Sequence, residues 1–338
     1  MYSKIRPLLF ALPPEQAHRL SLQALAFAAA TPLALDLLHA LCSAPPHPVE
    51  VAGLRFPNPL GVAAGYDKDG LAWRALASLG FGHVEVGTVC PRPQPGNPAP
   101  RVFRLPEDRS VINRLGFPSD GADRVRARLT LDRPHGLVLG VNLGKNKDTP
   151  LEHAAADYVL GVHHFAALAD YLVINVSSPN TAGLRSLQHK AALLDILHPT
   201  LQALRPIRQT RQAPLPLFVK IAPDLDDHEL DDAIDAILTA GADGIIATNT
   251  TISRDGLASH HRNEHGGLSG APLTLKSRHL VRKLRDRVGP HTPIIGVGGI
   301  MNPHDAAAML DAGADLIQLY TGLIYAGPAL ARDIVRGL

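Results

Sequence analysis

The 338-residue sequence predicts a (β/α)8 TIM barrel with a small N-terminal helical extension. Three observations carry that expectation. From residue 51 onward, eight short apolar runs alternate with helical patterns. Three of the helices end in one repeated phrase, Leu79-Gly80-Phe81-Gly82, Ala240-Gly241-Ala242-Asp243 and Ala312-Gly313-Ala314-Asp315, in which glycine stops the helix and the chain turns straight into the next strand. All eight runs end in polar residues or glycine, as expected where catalytic loops gather at the C-terminal face of a barrel.

Residues 1–12 carry Lys4 and Arg6 before a short apolar stretch that Pro13-Pro14-Glu15 interrupts, so a secretory signal is not expected. Residues 20–42 are rich in Leu and Ala but are broken by Gln23, Thr31, Pro32, Asp36 and His39, which argues against a spanning helix. Two short helices meeting near Thr31-Pro32 fit better. Leu20, Leu22, Leu25, Ala26 and Ala29 make an apolar face on the first, and Leu33, Leu37, Leu38 and Leu41 on the second. Composition leaves open whether these faces pack on the main domain or lie in a membrane surface. The Pro-rich run from Ser43 to Pro48 marks a boundary, dividing the chain into an N-terminal helical region (1–42), a linker (43–50) and the barrel (51–338). Strands are expected at 60–64, 83–87, 137–142, 171–175, 216–221, 243–248, 293–297 and 315–320, with helices including 70–79, 226–240, 303–312 and 329–336. Two excursions exceed ordinary connectors. Residues 90–117 hold a predicted hairpin, 101–105 with 110–113 around 106–109, and 249–270 end in a glycine-rich run.

Charged residues at 19% and apolar residues at 46% suit a globular enzyme and weigh against long disorder. A net charge of +2 without a basic run gives no nucleic-acid groove. Cys42 and Cys90 are isolated, which fits a reducing compartment. The 17 histidines lack HExxH or cysteine partners, so no metal site is expected.

The strand ends carry the chemistry. After strand four comes Asn175-Val176-Ser177-Ser178-Pro179-Asn180-Thr181, which by itself is also what an Asx or Ser turn requires. Lys220, in an apolar strand, suits a cation beside an electron-accepting ring, with a Schiff-base role or a lysine reaching to solvent as alternatives. Lys68 can pair with a carboxylate, and Asn113, Asn180 and Asn249 each offer donors and an acceptor to an amide or imide ring. Gly298 and Gly299, with Thr321 and Gly322, suit a phosphate site after strands seven and eight. No GxGxxG fingerprint is present, against a Rossmann dinucleotide site.

Five ordered motifs extend these readings across nearly the whole chain: Gly65-Tyr66-Asp67-Lys68-Asp69-Gly70, residues 91–98 (Pro91-Arg-Pro-Gln-Pro-Gly-Asn-Pro98), Asn113-Arg114-Leu115-Gly116-Phe117, residues 175–181, and Gly266-Gly267-Leu268-Ser269-Gly270. Together they resemble dihydroorotate dehydrogenase. The N-terminal extension and Ser178 resemble the quinone-dependent class 2 enzymes; class 1 enzymes use a cysteine base and lack the extension. The resemblance implies FMN as cofactor, and oxidation of dihydroorotate to orotate in pyrimidine synthesis with a membrane quinone as acceptor. It implies FMN contacts at Ala64, Gly65, Thr88, Asn142, Asn175, Lys220, Thr248, Gly270, Gly299, Tyr320 and Thr321. Substrate contacts are implied at Lys68, Asn113, Arg114, Leu115, Gly116, Phe117, Asn175, Asn180, Asn249 and Thr250. Ser178 is the implied base, with Thr181 and a water beside Phe117 as its relay, and His18 and Arg104 resemble residues of a quinone tunnel. Peripheral association with the cytoplasmic side of the cell membrane follows from the same resemblance. The chain departs from common family forms at Tyr66, Cys90, Pro118-Ser119 and Thr321, the last keeping the hydroxyl of a frequent serine. Rival readings are a class 1 enzyme, an aldolase-type barrel using Lys220 covalently, and a flavoprotein that only docks partners.

Overall fold

The computed structural model describes residues 2–338. Eight parallel strands close into a barrel in chain order: β1 (Leu60–Val62), β2 (His83–Val89), β3 (Val138–Leu143), β4 (Tyr171–Asn175), β5 (Leu217–Ile221), β6 (Gly244–Ala247), β7 (Ile294–Val297) and β8 (Leu316–Leu319). Strands enclosed on both faces are mostly apolar rather than alternating, and every residue of β4 and β5 is buried. Register matters more to the site than strand length. Asn175 pairs with Lys220 across β4 and β5, so two polar strand ends emerge side by side. The observed strands lie within two residues of the expected bounds. β1 stops at Val62, although Ala63 N–H still donates to Leu319 O at 3.0 Å, and β2 continues to Val89, opposite Leu143.

A hairpin, Val49–Val51 with Leu54–Phe56, precedes the barrel and takes up the last two residues of the expected linker. It packs into a cluster with Tyr171, Phe218 and Leu316, and Phe56 meets the His83 ring edge-on at 5.3 Å. The outer helices follow local signals in the sequence. Asp227–Ala240 begins with a reciprocal capping box between Asp226 and Glu229 and ends at Gly241 in the left-handed region (φ 83°).

The hairpin Val102–Leu105 with Ser110–Asn113 forms as expected. The strand Gly267–Gly270 was not expected; it pairs antiparallel with Ser110–Asn113, giving a three-stranded sheet. Two glycines in four residues give little local strand preference, and only the partner strand decides the outcome. This sheet joins the two long excursions and sets Asn113 opposite Gly267.

Three helices precede the barrel: α1 (Tyr2–Ala11), α2 (Pro14–Ala30) and α3 (Pro32–Cys42). The break at Thr31 bends α2 against α3 by 112°, and among the described residues no single helix is long and apolar enough to cross a membrane. Helix α1, unforeseen as a helix, is tied to the last βα unit by the Tyr2 hydroxyl, which donates to Ile324 O at 2.6 Å. Arg101 pairs with Glu15 at 2.9 Å and fastens α2 to the excursion after β2.

Candidate active site

The C-terminal ends of the strands surround a cavity of about 970 Å³, open mouth included, within the range of small-molecule sites. Its floor is polar although the barrel wall is not. The Glu85 carboxylate is fully buried and accepts hydrogen bonds from Asn142 Nδ2 (2.8 Å), Gln318 Nε2 (2.8 Å) and the Tyr171 hydroxyl (3.3 Å). Lys220 Nζ stands 3.8 Å from Glu85 Oε1 and faces the cavity. Burial pushes the Lys220 ammonium down, and the nearby Glu85 opposes that shift. Above this pair, Asn175 Nδ2 donates to Thr88 Oγ1 (2.8 Å) and Asn142 Oδ1 (3.1 Å), while Thr88 donates to Asn142 Oδ1 (2.6 Å). These bonds fix the orientation of each amide.

One wall holds the asparagines and the serine. Asn180 Nδ2 donates to Asn113 Oδ1 at 3.1 Å, and Asn249 Nδ2 donates to Ser177 Oγ at 2.9 Å. Ser178 Oγ accepts the Asn180 N–H at 3.2 Å. Lys68, Leu115, Gly116, Phe117 and Thr250 complete this side. Phe117 is buried and holds φ 53°. Its carbonyl accepts Gln94 Nε2 at 2.7 Å, which secures a backbone conformation unusual for an aromatic residue. Burial pushes the Lys68 ammonium down to about 8, with Asp69 pulling the other way.

The opposite rim is built from Gly270, Gly298, Gly299, Tyr320, Thr321 and Gly322, with Ala64, Gly65 and Thr248 between rim and floor. Thr321 Oγ1 donates to Ser269 Oγ at 2.9 Å. At Gly299 (φ 74°) a Cβ would stand 2.2 Å from Thr274 Cα, so only glycine allows that backbone approach.

Five of the expected site residues stand off the cavity wall. Asn142 lies one layer beneath, bonded to Thr88 and Asn175. Thr181, the last residue of the serine loop, is buried and does not line the cavity. The Arg114 side chain turns outward to Glu264 Oε2 (2.6 Å) and covers the Phe103 ring at 4.5 Å. His18, on α2, stacks edge-on against Tyr66 (5.3 Å), which in turn meets Tyr320 on the cavity wall (5.6 Å). Burial holds its imidazole down at about 3, with Lys68 adding to the effect. Arg104 donates to Leu9 O (3.0 Å) and to Leu12 O, and lies over the Phe10 ring. Glu85 and Gln318 were missed by sequence reasoning. The available signal was a carboxylate and an amide inside otherwise apolar barrel strands, where unpaired polar groups are costly.

The arrangement offers a buried lysine at the floor of the cavity, a group of amides beside it and a serine hydroxyl facing the same space. The family model described as dihydroorotate dehydrogenase matches residues 48–338. The chain is 48% identical over 340 residues to the dihydroorotate dehydrogenase (quinone) of Roseiflexus sp. (strain RS-1), covering 100% of this chain and 93% of that protein. It is 51% identical to the enzyme of that name from Stutzerimonas stutzeri (strain A1501) over 342 residues, covering 99% and 97%. Among solved structures, DHODH from Eimeria tenella in complex with ferulenol superposes with a TM-score of 0.87 at 39% identity, covering 98% of this chain and 93% of that one. Agreement over the barrel and the N-terminal helices alike means that the chain belongs to the dihydroorotate dehydrogenase family.

Proposed function

We propose that the protein oxidises dihydroorotate to orotate in pyrimidine biosynthesis, using bound FMN and passing the electrons to a membrane quinone. The observation that carries this is the convergence of Asn113, Asn175, Asn180, Asn249 and Ser178 on one wall of a cavity whose floor presents Lys220.

The family is flavin-dependent, and the residues present fit such a group. Among the described residues Lys220 Nζ donates no hydrogen bond, and the buried Gln318 Oε1 has no partner, so the floor keeps polar capacity for a ligand. A bound flavin supplies a two-electron hydride acceptor, which no amino-acid side chain provides. Ala64, Gly65, Thr88, Asn175, Lys220, Thr248 and Tyr320 would hold its ring and chain, with Asn142 orienting two of them from below. Gly270, Gly299 and Thr321 would hold the phosphate of FMN. Lys220 would stabilise negative charge, a contribution worth roughly 3 kcal/mol if it matches the loss of one oxyanion donor.

Lys68 and the asparagines hold the dihydropyrimidine, with its carboxylate toward the lysine. Ser178 Oγ takes the proton from C5. As it does so its own hydroxyl proton leaves to the relay, and the Asn180 N–H that points at this oxygen stabilises the alkoxide character that develops. Thr181 and a water beside Phe117 carry the proton onward, because serine alone is a weak base. His18 and Arg104 line the quinone's approach between α1, α2 and the barrel. The outer faces of α2 and α3 seat the protein peripherally on the cytoplasmic side of the cell membrane.

The test is anaerobic. Visible absorbance of the purified protein should bleach on adding dihydroorotate and recover on adding a ubiquinone analogue. Recovery with fumarate or NAD, but not quinone, would sink the acceptor assignment.

A further inference from the structure

We propose that Arg185 is a positioning residue that clamps the Ser178 loop to the Asn249–Thr250 loop and so sets the geometry of proton removal. The inference rests on the reading of Ser178 as the base. Arg185 lies on the short 3-10 turn Leu184–Gln188, just after the serine loop. Its guanidinium uses all three nitrogens. Nε donates to Ser177 O at 3.0 Å, the carbonyl immediately before Ser178. Nη2 donates to Thr250 O at 2.7 Å, on the loop after β6. Nη1 donates to Asp224 Oδ2 at 2.8 Å, beyond the end of β5.

Asp224 is itself a hub. It accepts the Ile252 N–H at 3.0 Å, the Thr251 hydroxyl and the Lys276 ammonium. Burial would raise its carboxyl, but Lys276, Thr251, Ile252 and Arg185 together hold it below the ordinary value, so it stays ionised. Three consecutive strand-end loops are thereby joined through one planar ion. Two of them carry the groups read as base and substrate anchors. A lysine offers a single charged point and cannot reproduce a fork aimed at three acceptors. Arg185 does not reach the cavity wall, so any effect on the reaction acts through the two carbonyls it holds.

Stopped-flow absorbance under anaerobic conditions separates the two half-reactions. Arg185→Ala should lower the limiting rate of flavin bleaching by dihydroorotate about 100-fold, as an error of about 1 Å in placement can. Reoxidation of the reduced enzyme by a ubiquinone analogue should stay at the wild-type rate. Guanidinium ion at low millimolar concentration should restore bleaching in Arg185→Ala, and Arg185→Lys should remain slow. Bleaching within twofold of wild type, or an equal loss in both half-reactions, overturns the proposal. Should Arg185→Ala fail to retain flavin, Asp224→Asn decides: selective slowing of bleaching supports the clamp, and an unchanged rate overturns it. Ser178→Ala is run in parallel. If it still bleaches at the wild-type rate, the base assignment fails, whereas an inactive Ser178→Ala beside a normal Arg185→Ala removes only the clamp.

Discussion

The barrel and the N-terminal helices place their residues in opposite ways. In the barrel strands the aliphatic residues are buried, and the charged Glu85 and Lys220 are buried among them. On α2 and α3 large apolar residues are exposed, with Phe27 at 70% and Leu33 at 80%, and Leu37 and Leu41 more than half exposed. The inner faces of these helices are satisfied, since Leu22, Leu25 and Leu38 pack against the core. Each departure costs free energy unless something other than this chain covers it. A closed barrel completes its own core, so a buried ion pair facing a cavity points to a polar ligand. A bent helical pair cannot enclose its outer face, and that face points to an apolar phase.

The largest effect expected on the barrel side is that of Ser178→Ala. Flavin bleaching should fall by about 10²–10⁴-fold, the usual contribution of a general base, while flavin stays bound and vesicle binding is unchanged. Rapid reduction in that variant would remove the serine from the chemistry. Lys220→Met should slow bleaching about 10²–10³-fold. It should also lower stability by about 3–5 kcal/mol, because it strands Glu85 as an unpaired buried carboxylate. Adding Glu85→Gln should recover the urea midpoint but not the rate. If the double variant recovers both, the charge is structural and has no part in catalysis.

On the helical side, Phe27→Ser with Leu37→Ser should lower cosedimentation with anionic vesicles by at least about tenfold, since burying each such side chain is worth about 1.5–3 kcal/mol. Bleaching in solution should be untouched. Equal vesicle binding by wild type and variant would break the contrast between the two regions. The smallest effect is on pH dependence. With its pKa near 8, Lys68 is charged below that pH and neutral above it. The KM for dihydroorotate should therefore rise about tenfold from pH 7 to pH 9 as the cation that meets the substrate carboxylate is lost. Lys68→Met should flatten that rise; a steep rise that survives the substitution assigns the titration elsewhere.

Much of this was legible in the chain because it is encoded locally. Gly241 ends its helix through its own backbone freedom, Asp226 and Glu229 cap one another three residues apart in the chain, and the apolar run 171–175 is a strand wherever it is enclosed. Those signals repeat along the sequence and imply the barrel. The residues around Ser178 were legible as an ordered set of motifs. What resisted was of long range. Gly267–Gly270 has weak local preference and becomes a strand only beside Ser110–Asn113, more than 150 residues earlier in the chain. Arg114 sits inside a substrate motif, yet its side chain leaves the cavity for Glu264, 150 residues away.

By itself, then, the sequence determined the repeating strand–helix order, the family and the position of the loops that carry the polar residues, because backbone propensity and apolar period act between neighbours. Tertiary structure alone decided that Glu85 would lie beneath Lys220, that Arg185 would hold two loops by their carbonyls, and that the leucines of α2 and α3 would divide between core and surface. Those outcomes depend on strand register and barrel closure, which bring together atoms from distant parts of the chain.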